Sequence, residues 1–84
     1  MLLQVTHVEP LGDFRLRLSF SDGSVKEVDL ASELYGEVFE PLKQPEFFGR
    51  VSVNPETNTI EWPNGADFAP EFLHRIGRDV RRIA

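Results

Sequence analysis

Between Phe14 and Phe20 the side chains alternate without a break: Phe14, Leu16, Leu18 and Phe20 are apolar, while Arg15, Arg17 and Ser19 are polar. A period of two sustained over such a run specifies a strand with one buried and one wet face. Ser21-Asp22-Gly23-Ser24 follows. Asp-Gly between two β-type runs predicts a tight hairpin, because Gly accepts the positive φ of such turns. Residues 25–30 are then the returning strand, and residues 3–8, stopped by Pro10-Leu11-Gly12-Asp13, the preceding one. An antiparallel three-stranded meander is thus the predicted foundation of the fold.

The rest of the chain has to cover the buried face of that meander. Residues 31–36 read as a turn or a single helical turn, with Ser32 a candidate N-cap. Residues 37–48 read as short helical pieces broken by Pro41 and Pro45, able to turn Phe39, Leu42, Phe47 and Phe48 toward the sheet. Residues 50–54 and 59–62 form a second hairpin around Asn54-Pro55-Glu56-Thr57-Asn58. Pro63 ends its second strand and Asn64-Gly65 turns the chain. Asp67 is placed to cap a last helix that starts with Pro70 in its first turn. Phe72, Leu73, Ile76, Val80 and Ile83 recur at spacings of 3 and 4, which predicts an amphipathic helix over residues 70–83. Glu71/Arg75 and Arg75/Asp79 are i,i+4 pairs on its other side, and Gly77 suits a close approach to the sheet. The fold class is α+β: a mainly antiparallel sheet of about five strands, short helical turns in the middle and one amphipathic C-terminal helix. The 84 residues make a single domain, 1–84.

Composition excludes several classes of function. There is no Cys, so neither disulfides nor a thiolate zinc site supports the fold. No apolar run approaches the roughly 18 residues of a membrane span, and the first residues lack the basic flank of a signal peptide. A cytoplasmic protein is expected. His7 and His74 are tied by spacing to no nucleophile, and no Ser sits in a Gly-x-Ser-x-Gly setting. No catalytic residues are expected, and no cofactor. Glu27, Asp29 and Glu33 lack the oxygen-rich loop of a calcium site, so no metal is expected either.

Charge is unevenly placed. The net charge is −5. Residues 1–72 carry 5 Lys/Arg against 13 Asp/Glu, whereas residues 73–84 carry Arg75, Arg78, Arg81 and Arg82 against Asp79 alone. A basic helix end complements its own dipole. The same stripe, Arg75/Arg78/Arg82, is also the candidate nucleic-acid contact, although the sequence pI of about 4.9 argues against nucleic acid binding by this chain alone. Trp62, Phe68 and Tyr35 are the aromatic residues of the kind that anchor protein interfaces, and Trp62 reads first as a core residue. Edge strands of a small open sheet can also accept a partner's strand or pair with a second copy as a homodimer.

The run Trp62-Pro63-Asn64-Gly65-Ala66-Asp67-Phe68-Ala69-Pro70-Glu71 resembles the signature of the bacterial family known as domain of unknown function 2442. Residues 5–11, Leu18-Ser19-Phe20-Ser21-Asp22-Gly23, Val28-Asp29-Leu30, Val38-Phe39-Glu40-Pro41-Leu42 and Phe47-Phe48 follow its pattern in order, so the resemblance covers nearly the whole chain. It implies a small α+β domain with a packed C-terminal helix, and it supplies no activity and no catalytic residues. It further implies a protein partner, because family members often look like the smaller partner in two-gene modules of toxin–antitoxin type. Some members carry an added DNA-binding helical domain. With one full helix expected here, a self-contained repressor is not. Trp62, Asn64, Gly65, Asp67, Arg75, Arg78 and Arg82 are the candidate interaction or signature residues.

Overall fold

The computed structural model of the chain describes residues 2–80. Its centre is strand β2 (Arg15–Phe20), whose Leu16, Leu18 and Phe20 are buried while Arg15, Arg17 and Ser19 face the other side. Strand β3 (Val25–Asp29) returns antiparallel, placing Val28 opposite Leu16 and Lys26 opposite Leu18. Strand β1 (Val5–Gly12) flanks β2 on its other side. It does not stop before Pro10. Pro10 pairs with Leu16, and register shifts on either side of the 7–10 run absorb the irregularity. An edge strand tolerates Pro because its missing N–H need not face a neighbour.

The buried face of this sheet is covered by the rest of the chain. Leu34, Leu42, Phe48, Ile60, Trp62, Ala66 and Leu73 join Val5, Leu16, Leu18, Phe20, Val28 and Leu30 in one core. The middle segment lies down on the sheet as a 3-10 turn at Ala31–Glu33, a 3-10 stretch at Glu37–Lys43 and helix α1 (Pro45–Phe48). Pro41 inside the second of these lacks the N–H that α-helical bonding needs. Ser32 caps nothing. Instead Asp29 Oδ1 accepts the Ala31 N–H at 3.0 Å. Strands β4 (Ser52–Asn54) and β5 (Thr59–Glu61) form a separate two-stranded sheet.

The last helix is shorter than its periodicity predicts. Helix α2 spans Pro70–Ile76, and the chain then turns extended at Gly77 (φ −72°, ψ 152°). Arg78–Asp79 become strand β6, pairing with Glu27 and Lys26 of β3, so the large sheet has the order β1-β2-β3-β6. Val80 N–H continues the pairing to the Val25 carbonyl at 2.9 Å. The physical reason is that β3 otherwise ends the sheet with unpaired backbone groups, and Gly77 is the weakest helix former in the run. Gly77 does approach the sheet closely: a Cβ there would lie 2.9 Å from Lys26 Cβ. Asp79 pairs with Lys26 at 3.0 Å rather than with Arg75, and Ile76 is partly exposed rather than buried. Residues 81–84, with Arg81, Arg82 and Ile83 of the predicted helix, lie outside the described residues.

Candidate functional site

The signature stretch folds as a hairpin corner. Gly65 N–H donates to the Trp62 carbonyl at 2.9 Å, Trp62 N–H donates to the Ala66 carbonyl at 2.9 Å, and Gly65 takes φ +88°. That is a tight turn ending in a left-handed Gly, with Pro63 and Asn64 in its centre. Asp67 does not cap the helix. It bridges back to Glu61 as the next rung of the hairpin, and Ala69 occupies the cap position of α2 with no side-chain hydrogen bond. Trp62 is 1% exposed and its Nε1–H donates to the Phe48 carbonyl at 2.8 Å, so it is a core residue. Phe68 is half-buried, stacked between Phe39 and Phe72.

The same turn closes the β2–β3 hairpin. Gly23 N–H reaches the Phe20 carbonyl at 3.0 Å, Phe20 N–H reaches the Ser24 carbonyl at 2.9 Å, and Gly23 takes φ +89°. The residue before each Gly also plays one role twice. Asn64 Oδ1 accepts the Ala66 N–H at 3.1 Å, and Asp22 Oδ1 accepts the Ser24 N–H at 2.9 Å. The atom left over then ties the turn to a distant element. Asn64 Nδ2 donates to the Val38 carbonyl at 2.8 Å, and Asp22 Oδ2 lies 3.0 Å from His74 Nε2 on α2. Each hairpin tip is therefore a latch as well as a turn. Replacing Asn64 by alanine removes both of its bonds and is expected to lower stability by about 1 kcal/mol, checked by urea denaturation.

Asp22, His74 and Ser24 form a cluster resembling catalytic machinery that spacing did not reveal. Its connectivity argues for architecture, because the Ser24 hydroxyl donates to Asp22 Oδ1 at 2.6 Å and not to the imidazole. The His74 ring packs edge-on against Phe20 at 5.0 Å. The Asp22 carboxyl is lowered from its ordinary 3.8 to about 2, chiefly by the Ser24 hydroxyl, then by the Ser24 N–H and, more weakly, by His74. A carboxyl depressed on folding stabilises the fold above its unfolded pKa, and that contribution fades as pH falls. The denaturation midpoint is expected to decline between about pH 4 and pH 2, and Asp22→Asn is expected to flatten that decline.

Of the predicted arginine stripe, Arg75 and Arg78 are described, and they fall on different elements. Arg75 lies over the Phe72 ring at 5.6 Å, and Arg78 sits on β6 directly opposite Glu27. On that solvent face Glu27 also meets Arg15 at 3.8 Å and Arg17 at 3.5 Å, and Arg17 meets Glu9 at 3.6 Å. Acid and base thus mix across β1, β2 and β3, worth little in stability, and among the described residues this face of the sheet is not uniformly basic. Glu27 and Asp29 are occupied by these arginines and by the Ala31 N–H, and no metal-holding group of His, Asp and Glu occurs among the described residues.

Two surface features remain. Tyr35 is 71% and Val38 46% exposed, on the segment that Asn64 holds. A groove of about 180 Å³ lies between the β1–β2 turn and α1, lined by Pro10, Gly12, Asp13, Phe14, Pro45, Phe48 and Gly49.

Residues 5–79 match the family described as "Protein of unknown function (DUF2442)". The chain belongs to that family. A crystal structure from Nitrosomonas europaea, described as a "Putative DNA Binding Protein", shares the fold with a TM-score of 0.79 and 30% sequence identity. The match covers 90% of this chain and 49% of that one, so this DUF2442 chain spans about half the length of its relative. No curated protein matches the chain.

Proposed function

We propose that this domain is a non-enzymatic protein-interaction module, an antitoxin-like or accessory subunit of a cytoplasmic two-gene bacterial system. The observation that carries this reading is the exposed Tyr35–Val38 surface on a backbone already held in place. Asn64 tethers the segment from one side, and Phe39 stacks on Phe68 at 4.9 Å beneath it. Interfaces draw most of their energy from aromatic anchors on preorganised backbone, because little entropy is then lost on binding. The family resemblance supports a small accessory role. In a pull-down with the protein encoded by the adjacent gene, micromolar association is the expected result, weakened by Tyr35→Ala. Failure to associate at that concentration removes the reading.

The description of the Nitrosomonas europaea relative favours a second reading, nucleic-acid binding. Against it stand the acidic pI of about 4.9, the placement of Arg75 over the Phe72 ring, and the position of Arg78 on β6, across from the acidic Glu27 of β3. Phosphate-driven binding gives an electrophoretic shift at about 50 mM salt that fades steeply as salt rises. No shift at that salt ends this second reading.

A further inference from the structure

From the groove between the β1–β2 turn and α1 we infer a receptor site for an arginine side chain presented by a protein partner. The inference rests on the interaction reading and names the chemistry of one contact.

Three observations converge on it. The first is shape and lining. The groove offers about 180 Å³, and its lining includes two prolines and two phenylalanines, Pro10, Pro45, Phe14 and Phe48. A void of about 150 Å³ already holds a benzene-sized group, so this one accommodates a planar guanidinium with part of its aliphatic stem. Guanidinium is planar and weakly hydrated and stacks on such rings, whereas a lysine ammonium is compact and strongly hydrated.

The second is charge. Asp13 is the carboxylate of the lining, and it takes part in none of the ion pairs found among the described residues. Glu9 of β1 and Glu27 of β3, by contrast, already have arginine partners. Among the described residues Asp13 is thus an acidic residue without an ion-pair partner beside an apolar cleft, which suits a forked cation and repels an anion.

The third is backbone conformation. Gly12, Asp13 and Phe14 take φ values of +89°, +52° and +62° in succession. Left-handed backbone is ordinary for Gly and tolerable for Asp, but for Phe it is an outlier that the surroundings must hold in place. They do: Leu30 N–H donates to the Phe14 carbonyl at 2.9 Å, and the Phe14 ring meets Phe48 edge-to-face at 5.3 Å. The strained conformation places Asp13 and Phe14, consecutive residues of the turn, on the lining of one groove.

The test uses the whole chain, isotopically labelled, titrated with N-acetyl-arginine amide and followed by amide chemical shifts. Saturable shifts confined to residues 10–14 and 45–49 are expected. The citrulline counterpart, a neutral urea of the same shape, is expected to bind at least ten-fold more weakly. Asp13→Asn, which a left-handed position tolerates, is expected to lose at least ten-fold for the arginine probe with the fold intact. Absence of shifts, shifts spread over all the acidic residues, or equal response to citrulline overturns the assignment. A local arginine response with no captured partner keeps the groove and removes the interaction reading. A captured partner indifferent to Asp13→Asn keeps the module and removes the groove.

Discussion

Trp62→Ala is expected to leave the domain largely unfolded under conditions where the parent chain is folded. Trp62 is 1% exposed, and its ring packs on Phe48 at 5.5 Å and against Phe68 at 6.0 Å. It is the meeting point of the hairpin corner, α1 and the approach to α2. Truncating so large a buried aromatic costs about 3–5 kcal/mol, the lost burial and the residual cavity together. Removing the indole also strands the Phe48 carbonyl, which Nε1–H satisfies. At about 0.05–0.15 kcal/mol per residue, a chain of this length has a margin of similar size, and small domains sit toward its lower end. Urea denaturation followed by circular dichroism checks this. Trp62→Phe separates the two contributions, since it keeps most of the burial and loses the hydrogen bond, for an expected cost of about 1–3 kcal/mol. Cooperative unfolding of Trp62→Ala within about 1 kcal/mol of the parent would show the corner to be peripheral.

Gly77→Ala is the second large effect, expected at about 1–3 kcal/mol of destabilisation from overpacking. A methyl at this position would sit 2.9 Å from Lys26 Cβ and 3.0 Å from the Leu73 carbonyl oxygen. Neither neighbour is the mobile end of a side chain, so relief requires α2 and β3 to separate. That separation pulls β6 off the sheet edge. The variant is therefore expected to lose amide-exchange protection at Val80 before the β1–β2–β3 meander is affected. Gly49→Ala is the control. Gly49 has helical φ and ψ, and an added methyl there finds its nearest atom at 3.6 Å. Gly→Ala at a compatible site stabilises by about 0.4–1 kcal/mol through the unfolded chain. Hydrogen exchange together with thermal melting distinguishes the two glycines.

The meander was legible because strand alternation and Asp-Gly turn chemistry are local signals, and Phe14–Phe20 carries both. The end of α2 was not. Phe72, Leu73, Ile76 and Val80 fit a helical period, but whether residue 78 continues a helix or joins a sheet is decided by the unpaired edge of β3, which is distant in sequence. The reading of Asp67 as a cap failed for a related reason: the hairpin extends one rung past Gly65 and takes Asp67 into a bridge with Glu61. The Arg75/Arg78/Arg82 stripe assumed the longer helix; Arg75 and Arg78 instead fall on two elements, α2 and β6, and Arg82 lies outside the described residues. The Asp22–His74 contact and the groove bring together residues 52 and more than 30 positions apart respectively, with no local pattern to announce either. In the corner, the sequence singled out Asn64, and the structure supplies what it does: it latches the Tyr35–Val38 segment.

Binding of the purified chain to the protein encoded by the adjacent gene tests the interaction reading most directly. Titration calorimetry is expected to give a one-to-one complex at micromolar concentration, with affinity reduced by Tyr35→Ala and unchanged by Arg75→Ala. No heat of association at that concentration, joined to a salt-sensitive electrophoretic shift with DNA that Arg75→Ala abolishes, would contradict it.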